Sequence, residues 1–267
     1  MITSIKRFIK HNIAKHYWNW RGRFTYFNQT IFFPKHSAIY QRTIEEGIFE
    51  IDHMQIMCAL AKPDTEVFDI GANIGIMLAP ILHNNGSITV VAVEASPNNI
   101  PYLKKTLEHS AYKDRWSIVD KAVFNYVGKI SFQTATQANG AYDSILNTNR
   151  VPFQQTIEIE CTTLDKIWED RGRPMVSFIK IDIEGADLIA LQAGINCINT
   201  CKPAILMEWN QLNIAPFKLV NNDLYDFVGS INYLLYALPN MNRVVDLVDL
   251  ELHSNFTENF LLIPKGN

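Results

Sequence analysis

The passage Val67-Phe68-Asp69-Ile70-Gly71-Ala72-Asn73-Ile74-Gly75 constrains the fold more than any other part of the chain. A short apolar run enters a glycine turn, and a helical stretch from Ile74 to Leu82 follows. Apolar runs that do not alternate mark strands covered on both faces. The same unit recurs in Thr89 to Val93 with a helix ending near His109, in Val176 to Asp182 with a helix through Leu191, and in Ala204 to Glu208. Strands alternating with helices predict a parallel sheet with right-handed crossovers, an open doubly wound α/β domain. Ile231 to Leu238 and Asn259 to Ile263 read as an antiparallel finish. Two prolines bear on the helices: Pro80, read as two turns inside the first, predicts a kink, and Pro101 predicts that the second begins there rather than at Ser96-Pro97.

Period-two alternation marks Lys129 to Gln133 and Thr156 to Glu160 as strands. The polar stretch between them, Thr134 to Gln155, is expected to hang beside the strand ends as a functional loop. With 267 residues, 48% hydrophobic and 19% charged, the chain is neither disordered nor a disulfide-stapled mini-protein. Cys58, Cys161, Cys197 and Cys201 are too scattered for a zinc site and read as reduced thiols. No apolar run approaches the roughly 18 residues of a membrane span, and no secretory leader is evident, so a cytoplasmic protein is expected.

Charge is uneven. Residues 1–44 hold eight Lys/Arg and no acid, and the remainder carries 16 basic against 27 acidic side chains, a balance of -11. Ile2, Ile5, Phe8, Ile9 and Ile13 recur at helical spacing with Lys6, Arg7, Lys10 and Lys15 between them. Residues 1–25 could therefore make peripheral contact with an anionic membrane, or pack on their own domain with the basic face solvated. Residues 1–43 read as a basic N-terminal extension and 44–267 as the main domain. The acidic main domain has no phosphate-tracking stripe, so no nucleic-acid partner is expected.

Gly71 and Gly75 are expected to let a ligand approach the backbone at the carboxyl end of the first parallel strand, with Ala72 and Asn73 in the same turn. A dinucleotide fingerprint needs G-x-G-x-x-G, but here the spacing is G-x-x-x-G with Asn73 inside it. Asp69 would repel a pyrophosphate, which favours cationic S-adenosylmethionine over NAD. Glu94 closes the next strand and is suited to both ribose hydroxyls of an adenosine, with Ala95 and Ser96 continuing its turn. Asp120 is expected to border the adenine with Lys121, Ala122 and Val123. Asp182, Glu184 and Glu208 converge at strand ends, and Asp182 is the preferred general base. The competing roles are helix capping by Asp182 and Glu184, with Lys180 pairing one of them, or a shared divalent cation; no metal is assigned. His53, His83 and His109 read as helix-end or surface groups, and Trp209 as core or as the floor of a sugar-binding crevice.

These residues resemble the FkbM-type class I methyltransferases over roughly residues 44–264. The resemblance rests on Asp69 to Gly75, Ala92 to Pro97, Thr163-Leu164-Asp165, Ile179 to Asp187 and Pro203 to Glu208. Gly140 to Leu146 is similar to a small-residue stretch often found there. The resemblance implies a Rossmann-like, doubly wound seven-stranded sheet with the last strand antiparallel. It also implies methyl transfer from S-adenosylmethionine to a hydroxyl of a small-molecule or glycan acceptor, a sugar or a secondary metabolite. Asp187 stands where the family usually has Glu, and Pro80 and Pro101 are departures. Two other readings remain: a cofactor-binding protein without turnover, held at a membrane by its basic arm, and an NAD-dependent oxidoreductase.

Overall fold

The computed structural model describes residues 17–266. The amphipathic segment Ile2 to Lys15 lies outside the described residues. Strands β1 (Arg23–Tyr26) and β2 (Gln29–Phe32) form a hairpin, followed by helices Ala38–Glu46 and Ile51–Leu60. The parallel unit then begins with β3 (Glu66–Ile70), β4 (Thr89–Val93) and β5 (Trp116–Val119). After β6 (Ala122–Val123), β7 (Gly128–Thr134) and β8 (Gln155–Thr162), it resumes with β9 (Val176–Ile181) and β10 (Ala204–Glu208), and β11 (Tyr233–Ala237), β12 (Asn242–Val244) and β13 (Asn259–Pro264) complete it. The main sheet has the order β12-β11-β13-β10-β9-β3-β4-β5. β13 lies antiparallel between β10 and β11. This is the Rossmann-like doubly wound arrangement with its last strand reversed, but with eight strands rather than seven. The extra strand is the β12 hairpin partner, whose polar Asn242-Arg243 gave no strand signal.

Successive residues of each central strand serve different cores. Phe68, Val91, Ile179 and Ile205 face one fully buried cluster, and Val67, Val90, Phe178 and Leu206 face another on the opposite side. Burial on both faces explains why these strands do not alternate, each side chain contributing about 1.5–3 kcal/mol. Trp209, at 0% exposure, belongs to the first core and donates to Asn221 Oδ1 at 2.8 Å, so it floors no crevice. Pro80 produces no internal break, because the helix starts late, at Leu78, and Pro80 falls in its first turn where a missing N–H costs nothing. Pro101 is the second residue of the helix Ile100–Glu108, as its sequence position suggests.

The described part of residues 1–43 shows no break from the main domain. Phe24, Tyr26, Ile31, Phe33 and Tyr40 share one core with Val67 and Leu78. Phe33 and Tyr40 stack at 3.9 Å, Gln29 donates to the Ala79 carbonyl, and the Phe32 N–H donates to Thr106 Oγ1. The amphipathic strands β7 and β8 pair antiparallel in a separate three-stranded sheet with β6. The polar stretch they bracket is ordered by a 3₁₀ turn, Gln137–Tyr142, and a bridge between Gln133 and Ser144. Replacing fully buried Tyr40 by Ala should cost about 3–5 kcal/mol in chemical denaturation. Unfolding should remain a single transition; a separate, earlier transition would mean that the hairpin is an independent unit.

Candidate functional site

Two clefts open at the carboxyl ends of β3, β4, β9 and β10. The first encloses about 510 Å³ and is lined by Ile70, Gly71, Asn73, Val93, Glu94, Ala95, Lys121, Ala122, Val123, Phe132, Gly140, Asp143 and Ile145, among others. Glu94 ties its walls together: Oε2 accepts the Asn73 N–H at 2.7 Å, and Oε1 accepts those of Ala95 and Ser96 at 3.1 and 2.7 Å. Burial pushes the Glu94 carboxyl up to about 7, against the pull of these hydrogen bonds. Asn73 adopts the left-handed conformation with φ 52°, which turns its N–H toward Glu94.

The two glycines also allow close packing within the protein. Gly71 has φ 86°, and a methyl there would overlap the carbonyl oxygen of Asp182 on the neighbouring strand end. A Cβ on Gly75 would lie 2.9 Å from both Leu103 Cδ1 and Trp116 Cζ2. Gly75 lines neither cleft. Ser96 is buried behind Glu94. Asp120 is half-exposed and paired with Lys104 at 2.7 Å, outside both clefts; Lys121, Ala122 and Val123 line the first cleft without it.

The second cleft, about 890 Å³, is lined by Asp69, Ala72, Met77, Arg42, Glu50, Tyr142, Arg150, Lys180 and Glu208. Gly71, Asn73, Ala141, Asp182 and Glu184 line both clefts, so the two meet there. Asp69 is fully buried and neither carboxylate oxygen has a hydrogen-bond partner. Burial pushes it up to about 6 although Lys180 Nζ stands 3.8 Å away. Lys180 also lies 3.4 Å from Asp182 Oδ2. Burial opposes its charge, yet Asp182, Asp69 and Glu50 outweigh that and keep the ammonium protonated.

The turn after β9 is held in a strained form. Glu184 has φ 56° and Gly185 φ 96°, where a methyl would overlap the Asn213 carbonyl. Asp187, not Asp182 or Glu184, closes this turn by accepting the Ile183 and Gly185 N–H groups at 3.4 and 3.1 Å. Burial raises Asp187 to about 7 and Glu184 to about 8. Burial, reinforced by the Asp182 charge, also holds Glu208 well above the usual carboxylate range. Asp182, Glu184 and Glu208 offer oxygens within 4.8 Å of one another, close enough to share a cation. The guanidinium of Arg150 stands 3.1 Å from Glu184 and 3.6 Å from Glu208, with its Cζ 5.0 Å from the centre of the Tyr142 ring. None of the three histidines lines either cleft: His53 pairs with Glu50, His83 meets Tyr112, and His109 meets the Lys105 carbonyl. Glu50, Arg42, Tyr142 and Arg150 had no motif to announce them. Lys180 did have a signal, as the one cation inside an otherwise apolar strand.

The Methyltransferase FkbM domain matches residues 69–236, from the orphaned Asp69 through most of β11. The chain belongs to the FkbM methyltransferase family. This FkbM chain resembles the crystal structure of methyltransferase FkbM from Methylobacillus flagellatus KT, with 16% identity and a TM-score of 0.47 over 94% of this chain and 58% of that one. It thus spans less than two thirds of that protein's length. It also resembles precorrin-6y C5,15-methyltransferase from Geobacter metallireducens GS-15, with 11% identity and a TM-score of 0.40 over 71% and 74% of the two chains. No curated protein sequence matches it.

The raised carboxyls have a consequence for the stability of this FkbM domain. Asp69, Glu94, Asp187 and Glu184 hold protons up to about 6, 7, 7 and 8, whereas an unfolded carboxyl releases its proton near about 4. Between these limits the folded state binds more protons than the unfolded chain, so stability falls as pH rises. The melting temperature of the ligand-free protein should drop from about pH 5 to about pH 8, and Asp187→Asn should flatten the decline. A melting temperature that is flat or rises over that range would show these carboxyls to be less buried than the structure has them.

Proposed function

We propose that the chain is an S-adenosylmethionine-dependent O-methyltransferase whose acceptor is a hydroxyl of a sugar, a glycan end or a secondary metabolite. The observation that carries this reading is the meeting of two clefts at Asp182 and Glu184, one with a nucleoside-type acid at its strand end and the other polar and ringed by charge. The donor set fits the cofactor. The fully buried Asp69 carboxylate accepts no hydrogen bond and faces only the Lys180 ammonium at 3.8 Å, which leaves its oxygens open to a donor such as the cofactor's ammonium, and Glu94 retains acceptor capacity for ribose hydroxyls. When bound, S-adenosylmethionine supplies a methyl group on a sulfonium for in-line displacement.

The protein's own residues divide the rest of the work. Asp182, 38% exposed at the junction, is the carboxylate best placed to take the acceptor's proton, with the Lys180 ammonium beside it balancing its charge. Glu184, with its raised pKa, can donate a hydrogen bond to a neighbouring hydroxyl near neutral pH. Phe49, Glu50, Ala141, Tyr142 and Arg150 line the acceptor cleft. Among the described residues no helix is long and apolar enough to cross a membrane, and all four cysteines are free thiols, which supports the cytoplasmic reading. The acidic balance of residues 45–267 argues against a nucleic-acid acceptor.

Calorimetry should detect S-adenosylhomocysteine and no NAD, and mass spectrometry of an acceptor panel should find the gain of one methyl. Failure to bind S-adenosylhomocysteine at millimolar levels would remove the enzyme reading. Asp182→Asn should leave cofactor affinity within a few-fold while turnover falls by a factor on the order of 10² or more. Unchanged turnover would take Asp182 out of the chemistry.

A further inference from the structure

Residues 134–155 contain one acid and one cation, Asp143 and Arg150, in an otherwise uncharged stretch. Asp143 is turned inward, with 8% exposure. Its Oδ2 accepts the Ser96 hydroxyl in a short hydrogen bond and the Asn98 amide at 2.9 Å, and its Oδ1 accepts the Ala135 N–H at 2.6 Å. Beside it, Asn99 Nδ2 donates to the Gly140 carbonyl at 2.9 Å and reaches Glu94 Oε1 at 3.4 Å. Gly140 sits so close that a Cβ on it would lie 2.6 Å from Asn99 Oδ1. The loop that walls the first cleft is thus joined to the turn after β4 by an unbroken set of hydrogen bonds, and the Ser96 N–H in that turn binds Glu94 directly.

We propose that Asp143 is a positioning residue for the nucleoside side of the first cleft, fixing the Ser96–Asn99 turn and, through it, the Glu94 carboxylate. The proposal rests on reading that cleft as the S-adenosylmethionine site. A carboxylate suits the position because every group around it is a donor, and one acceptor with several lone pairs satisfies all three. Without it, the buried Ser96 hydroxyl, Asn98 amide and Ala135 N–H lose their shared partner. The turn then loses its anchor on the wall, and Glu94 must be ordered at the expense of ligand affinity. Asp182 and Lys180 are not part of this network, and the junction residue Asn73 meets it only through its N–H on Glu94.

The test is calorimetric titration with S-adenosylhomocysteine, wild type first. Asp143→Asn puts an amide donor against the Asn98 donor and should weaken binding about tenfold, with Ser96→Ala weakening it less and Asp143→Ala more. The exchange Asn98→Asp with Asp143→Asn restores a donor facing an acceptor and should recover most of the affinity lost in Asp143→Asn alone. A residue that merely holds the fold would lower the melting temperature without changing the affinity of the folded protein, and the exchange would recover no affinity. Should Asp143→Ala not fold, Asp143→Asn, Ser96→Ala and the exchange carry the test. Wild type that does not bind overturns the cofactor reading and this proposal with it. Wild type that binds, with Asp143→Asn and Ser96→Ala within about twofold of it, overturns the proposal alone.

Discussion

The closeness of β3 and β9 at their carboxyl ends governs the rest of the site. The Asp182 N–H donates to the Ile70 carbonyl at 3.0 Å, and the Asp182 carbonyl lies where a side chain on Gly71 would be. Only a residue without Cβ, at φ 86°, permits that approach. Because it does, the turn that carries Asn73 toward Glu94 and the turn that carries Asp182 and Glu184 form one ridge between two clefts. The two clefts share five residues as a result, rather than lying on separate parts of the sheet edge.

Much of this was legible in the chain because it rests on local pattern. The apolar runs of β3, β4, β9 and β10 announce burial on both faces, and Glu94 and Asp182 are acids at the ends of such runs, where an α/β sheet opens. What escaped depends on partners distant in sequence. The ion pair of Asp120 with Lys104, at 2.7 Å, joins the end of β5 to the helix before it. Gly75 lies tight against Leu103 and Trp116, which are likewise distant in sequence. Asp187 reads as a helix residue, yet its carboxylate closes the turn that holds Glu184 in a left-handed conformation. The family's usual Glu at that place would bring a longer side chain to the same two N–H groups.

The polar stretch between β7 and β8 shows the same division. Its lack of apolar residues suggested a loop beside the strand ends, and it does lie there. Its two charges are turned inward, Asp143 toward the turn after β4 and Arg150 toward Glu184 and Glu208. A loop with too little apolar surface to hold itself in place is instead fixed by charge-assisted hydrogen bonds at both ends. One end walls the first cleft and the other the second.

Arg150 also bears on how the protein tolerates so much negative charge. Asp69, Asp182, Glu184, Glu208 and Glu50 line one cleft with only Arg42, Lys180 and Arg150 among them. Left ionised together, the buried acids would repel one another and lose hydration, a cost that a proton relieves in Glu184, which burial raises to about 8. Glu50 takes the opposite course: although burial opposes its charge, hydrogen bonding to His53 and the charges of Lys180, His53 and Arg42 pull it down to about 2. The cleft is therefore a graded set of carboxyl groups, some ionised and some protonated near neutral pH. Such a surface holds both hydrogen-bond acceptors and donors, with Arg42, Arg150 and Lys180 each set against a carboxylate.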